Sequence, residues 1–99
     1  MSLKFEKNPN ENSSFAISGR LDSVTAPELE KELSAVINES TSLVIDMKKL
    51  EYISSAGLRI ILKTHKALMN KGGLKLINVP GSVMEVFNIT GFSDFLIIE

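Results

Sequence analysis

The sequence predicts a single α/β domain, residues 1–99, with a mostly parallel central sheet, one antiparallel N-terminal strand and helices packed against it. Three observations carry this. Two short alternating segments open the chain within one polar loop of each other, as the strands of an antiparallel hairpin do. Helical and extended apolar patterns then take turns at the spacing of strand–helix–strand units, whose strands run parallel through right-handed crossovers. And 99 residues, 43% hydrophobic and 23% charged, suffice for one ordinary core and not for two.

Leu3 and Phe5 alternate with Lys4 and Glu6, a half-exposed strand, and residues 7–13 hold the turn formers Asn8, Pro9, Asn10 and Asn12. Phe15 and Ile17 alternate with Ser14 and Ser18 in a second strand expected to end at Gly19. Thr25-Ala26-Pro27-Glu28 reads as a capping box with Thr25 as N-cap. Ala26, Leu29, Leu33, Val36 and Ile37 follow at helical spacing, to about Asn38. Leu43-Val44-Ile45 is wholly apolar, as in a strand covered on both faces, and Asp46 is expected to end it.

After a polar loop, Leu58, Ile61, Leu62, His65, Leu68 and Met69 line one face of a second helix that Lys71-Gly72-Gly73 stops. Residues 74–79 form a strand closed by Pro80-Gly81 and placed beside 42–46 at the sheet centre, both being apolar enough to be covered on two faces. Ser82 and Glu85 read as a second capping box, opening a helix that ends near Gly91, and 92–98 supplies a last strand.

Composition removes several function classes. A net charge of -1 gives no basic face, so nucleic acid is not an expected partner. There is no cysteine, hence no disulfide, thiolate site or cysteine nucleophile. No apolar run approaches the ~20 residues of a membrane helix, and the N-terminus has no apolar signal segment. A cytoplasmic protein with no membrane contact is the expectation.

Chemistry in such sheets gathers beyond the carboxyl ends of the strands. Two loops leave that edge with unusual residues: Gly19-Arg20-Leu21-Asp22-Ser23, and Tyr52-Ile53-Ser54-Ser55-Ala56-Gly57. Either serine of the second can cap the helix that follows, yet one cap needs one serine. Gly57 in a first helical turn costs about 1 kcal/mol relative to Ala and leaves room beside Ser55 for another backbone. A phosphate on Ser55 would meet the partial positive charge and free donors of a helix start. A serine hydrolase is disfavoured: the flanking Gly-x-Ser-x-Gly pattern is absent, and His65 is ten residues along the same helix from Ser55, ~15 Å by helical rise. His65 reads as a core-edge residue and Asp46 as an ordering residue for its loop. Neither a metal nor a cofactor is expected.

The order of Gly19-Arg20-Leu21-Asp22, Pro27, Val44-Ile45-Asp46, Ile53-Ser54-Ser55-Ala56-Gly57-Leu58-Arg59 and Asn78-Val79 resembles the STAS domains of anti-sigma factor antagonists over nearly the whole chain. That resemblance implies a STAS-like fold and a non-enzymatic partner switch. It implies an anti-sigma factor that is also a serine kinase as partner, a sigma factor freed by the complex, and a serine phosphatase that reverses the modification. The switch residue it implies is Ser55, with Ser54 the alternative acceptor, since many relatives have Asp-Ser-Ser-Gly with an aspartate before the target serine, where this chain has Ser54 in that place and Ala56 following. Asp22 matches an aspartate beside the switch serine. The docking surface so implied comprises Arg20, Leu21, Asp22, Ser23, Ser54, Ser55, Ala56 and Gly57. A second reading is a STAS adaptor of a stress-signalling complex or a lipid-transport ATPase, working without phosphorylation.

Overall fold

The computed structural model describes residues 3–7, 14–39 and 42–99. Strands β1 (Leu3–Lys7) and β2 (Ser14–Leu21) pair antiparallel, Leu3 opposite Gly19 and Phe5 opposite Ile17. Helix α1 (Ala26–Glu39) leads to β3 (Ser42–Ile53), and α2 (Ser55–Leu68) leads to β4 (Gly73–Ile77). Helix α3 (Gly81–Thr90) and a 3-10 turn at Phe92–Asp94 lead to β5 (Ile97–Ile98). The sheet order is β1-β2-β3-β4-β5, with every pairing after the first parallel. The mixed sheet and the adjacency of 42–46 to the following strand are as the sequence predicts. The turn expected over 7–13 lies, apart from Lys7 at the end of β1, outside the described residues.

Strand order decides where the helices go. From β2 onward each crossover steps the same way, and right-handed crossovers stepping one way land on one face. Burial follows suit. Phe15, Ile17, Leu43, Ile45, Met47, Leu74 and Leu76 are buried, while Ala16, Val44, Asp46, Lys75 and Ile77 between them are only half-buried. The expected cover on both faces of 42–46 and 74–79 is therefore wrong. An apolar run there reflected a choice of Val and Ile on the open face, where β-branched side chains suit a pleated surface. The helices close the other face with Leu29, Leu33 and Val36 from α1, Leu58, Ile61 and Leu68 from α2, and Val83 and Phe87 from α3.

The largest departure is β3, which continues through Asp46 to Ile53 where a polar loop was expected. It gains one residue on β2 between the pairs Ala16–Asp46 and Ser18–Lys49, and another between Gly19–Leu50 and Arg20–Tyr52. Each bulge turns two consecutive side chains outward, so Lys48-Lys49 and Glu51-Tyr52 are exposed while Leu50 and Ile53 are buried. That doubling breaks the period of two by which a strand is recognised. Asp46 secures the first bulge: its Oδ1 accepts from the Lys48 amide at 2.9 Å and from Asn78 Nδ2 at 3.2 Å.

Other boundaries shift for local reasons. β2 runs two residues past Gly19 because Arg20 and Leu21 keep partners in Tyr52 and Ile53. β4 stops at Ile77, and Asn78 takes a left-handed φ of 55°, a conformation Asn tolerates better than most residues. The strand expected over 92–98 is instead the 3-10 turn at Phe92–Asp94 and, two residues on, the two residues of β5. Met69 is the exposed C-cap of α2 rather than part of its apolar face. His65 is half-buried against Phe95, ring centroids 5.2 Å apart. Ser82 caps nothing, since α3 begins at Gly81 with Pro80 as N-cap and no side-chain bond.

Asp46→Ala should cost on the order of 1 kcal/mol in chemical denaturation, the net worth of such bonds. Hydrogen exchange at the Lys48 amide should accelerate with it. Unchanged exchange there would show that the bulge holds without the carboxylate.

Candidate functional site

Two loops meet at the carboxyl edge of β2 and β3, joined by one backbone hydrogen bond: the Ser54 amide donates to the Leu21 carbonyl at 2.9 Å. This fixes the start of α2 directly beside the end of β2.

The loop after β2 is ordered by two side chains. Asp22 Oδ1 accepts from the amides of Val24 and Thr25, both at 3.0 Å. Thr25 Oγ1 accepts from the Asp22 amide at 2.9 Å and donates to the Arg20 carbonyl at 2.8 Å. Thr25 is thus buried and faces back into the loop. It does not cap α1 through its side chain as the capping box predicted, and the Glu28 and Leu29 amides bond to its carbonyl instead. The Thr25 amide is the main cause holding the Asp22 carboxyl below its ordinary value of 3.8; partial desolvation opposes this, while the Val24 amide, the Thr25 hydroxyl and the Arg20 charge add to it. Asp22 itself is half-exposed, and Ser23 and Val24 stand at the tip. Val24 is 75% exposed, a high figure for an apolar side chain in an ordered turn.

On the other loop, Ser54 has extended backbone at φ −98° and ψ 176°, and its Oγ accepts from the Gly57 amide at 3.3 Å. Ser54 is therefore the N-cap of α2. Ser55, the first helical residue, is exposed, and among the described residues its hydroxyl makes no hydrogen bond. Ala56 is half-buried against the core. Beside the serines, Arg20 lays its guanidinium 4.3 Å from the centroid of the Tyr52 ring, a cation–π contact made possible by the second bulge, which re-aims Tyr52.

Gly57 has a different job from the one expected. A Cβ there would lie 2.6 Å from Leu21 Cγ and 3.0 Å from Ile53 Cγ1. The space beside Ser55 is filled from within the chain, by a Leu21 side chain of 0% exposure. Neither Leu21 nor Gly57 can offer a side chain to a partner, which corrects their assignment to a docking surface; they shape it from beneath. Arg20, Asp22, Ser23, Ser54, Ser55 and Ala56 do come to one edge. Sequence reasoning missed Val24 and placed Tyr52 in the second loop without counting it in the docking surface, because an exposed apolar residue in a turn and an aromatic in a supposed loop carry no periodic signal.

No group of three or more His, Asp or Glu gathers among the described residues, so they offer no metal centre there. The one imidazole lies further along α2 beside Phe95 and is not a base for Ser55.

The family model for the STAS domain matches residues 3–99. BtrV of Bordetella bronchiseptica, provisionally named an anti-sigma factor antagonist, is 41% identical over 78 residues, 77% of this chain and 67% of that protein. The anti-sigma-B factor antagonist of Bacillus subtilis is 32% identical, covering 100% of this chain and 93% of that protein. A crystal structure of an anti-sigma factor antagonist from Mycobacterium paratuberculosis superimposes with a TM-score of 0.87 at 28% identity, over 97% of this chain and 84% of that one.

Gly57→Ala should cost about 1–3 kcal/mol through overpacking. In a double-mutant cycle with Leu21→Ala the two losses should fall well short of additive, because the smaller residue at 21 clears the clash. Strict additivity would mean that the two side chains do not compete for this space. Asp22 should titrate below 3.8 by NMR. A carboxyl depressed in the fold adds stability that is present above its unfolded pKa and lost as pH falls through the folded one. Asp22→Asn should therefore flatten the acid limb of the stability curve below pH about 4.

Proposed function

The chain belongs to the STAS domain family, and we propose that it is an anti-sigma factor antagonist switched by phosphorylation of Ser55. On this reading it binds an anti-sigma factor that is also a serine kinase, so that a sigma factor is freed. The kinase ends the association by transferring the γ-phosphoryl group of ATP to Ser55 Oγ, with loss of the hydroxyl proton and release of ADP. A serine phosphatase restores the binding form.

One observation carries the choice of residue. Of the two adjacent serines, Ser54 has its oxygen committed to the Gly57 amide, while Ser55 is exposed with its hydroxyl unengaged among the described residues. A kinase needs a hydroxyl it can reach and turn, and only the second meets that need without opening the cap. The surroundings suit a docking face. Val24 is exposed on the adjoining loop and Arg20 stacks on Tyr52, two residues before Ser54, and Tyr and Arg are over-represented among residues that anchor interfaces.

The switch works through the surface rather than the fold. A phosphate of charge near −2 at a helix start is locally favourable, by about 0.3–1 kcal/mol per unit of well-placed charge. At an interface that formed around a neutral hydroxyl, the same charge is desolvated without a partner and weakens binding by on the order of 2–5 kcal/mol.

Ser55→Asp should keep the fold and its melting temperature while lowering affinity for the kinase by tenfold or more. Ser55→Ala should bind normally and take no phosphate, and Ser54→Ala should still be modified, at Ser55. The assay is incubation with kinase and ATP followed by mapping of the phosphate by mass spectrometry. Phosphate on Ser54 would move the site, and modification of neither serine by a kinase that binds would favour an adaptor working without phosphorylation.

A further inference from the structure

We infer that Arg59 is the intramolecular partner of a phosphate on Ser55, so that modification takes a cation away from the docking face as it adds negative charge to it. The inference rests on Ser55 as the modified residue and concerns what the phosphate then does.

Ser55 and Arg59 are the first and fifth residues of α2 and both are exposed. Residues four apart share a helix face with Cβ atoms about 5–6 Å from each other, and an acidic group N-terminal to a basic one is the favourable order. The other cations nearby are engaged. Lys63, one turn further on, is paired with Glu30, and Arg20 lies over Tyr52. Arg59 makes no ion pair or hydrogen bond among the described residues.

The first turn of α2 also contains no acidic residue, whereas that of α1 has Glu28. The start of α2 therefore combines the positive end of a helix dipole with an unengaged guanidinium and no counter-charge on its own turn. A phosphoserine there brings three acceptor oxygens and a charge near −2, and the planar fork of an arginine matches them in two parallel hydrogen bonds. In the unmodified protein Arg59 is free to meet an acidic group of a partner. In the modified protein it is held to its own helix.

The test uses full-length protein carrying phosphoserine at position 55 by genetic encoding, in the parent, Arg59→Gln and Arg59→Lys backgrounds. Phosphorus NMR titration reads the second ionisation of the phosphate. The parent phosphate dianion should bind the proton of this second ionisation on the order of two- to fivefold less tightly than in Arg59→Gln. Arg59→Lys should recover part of the difference, and salt near 1 M should erase most of it. Superimposable titrations of the parent and Arg59→Gln would overturn the pairing, and since Arg59 is exposed the substitution should not unfold the domain. Encoded phosphoserine needs no kinase, so a kinase that leaves Ser55 unmodified defeats the proposed function without altering this titration, and equal titrations defeat the pairing alone.

Discussion

The close approach of Leu21 to Gly57 is the contact on which the rest of the site depends. Leu21 closes β2 with its side chain wholly buried, in the space where any side chain at 57 would stand. Its carbonyl holds the Ser54 amide. One residue thus sets both where α2 starts and how close that start lies to the loop after β2. With any larger residue at 57 the helix would have to move away from the strand end, and Ser55 would leave the edge it shares with Asp22. The glycine costs helix propensity in a first turn, and what offsets that cost is buried apolar contact rather than access for a partner.

Single-direction winding explains why the site sits at an edge and not in a cleft. A sheet whose strand order reverses opens a crevice between its two sets of crossovers. Here the order never reverses, so the helices share one face and no such crevice forms. What remains at the carboxyl edge is a low relief of loop tips and the first turn of α2. Such relief suits recognition of another protein surface better than enclosure of a small molecule. The bulges of β3 add to it by turning Tyr52 outward beneath Arg20.

Much of this was legible in the sequence where the signal is periodic. The hairpin, α1 and α2 carry alternation or a helical stripe, the neighbouring central strands stood out as short apolar runs, and the two loops by residue type and position. The misses have physical causes. Lys48-Lys49 and Glu51-Tyr52 hid the second half of β3 because each bulge spends two residues where a regular strand spends one. Thr25 and Ser82 match a capping motif, yet tertiary partners decide what a short polar side chain bonds. Thr25 found the Arg20 carbonyl, and α3 starts too early for Ser82 to serve. Gly57 was read as leaving room for another backbone, but the group that takes the space is the Leu21 side chain, a long-range contact that carries no local signal.

On the proposed function, the adjacent serines divide two tasks that conflict in one residue. A cap works by holding its oxygen on a helix amide. A phosphate acceptor must turn its oxygen outward, and once esterified that oxygen is a poor and crowded acceptor. One serine in both roles would weaken the helix start whenever it was modified, and the switch would then act by loosening α2. With Ser54 fixed on Gly57 and Ser55 outside the cap, a phosphate at the proposed Ser55 site would come and go while the helix start kept its bond. The Leu21–Gly57 packing beneath both serines is likewise undisturbed, since neither side chain reaches the surface. What such a modification changes is the charge and shape presented at the edge, and a rigid frame passes that change to a partner undiluted.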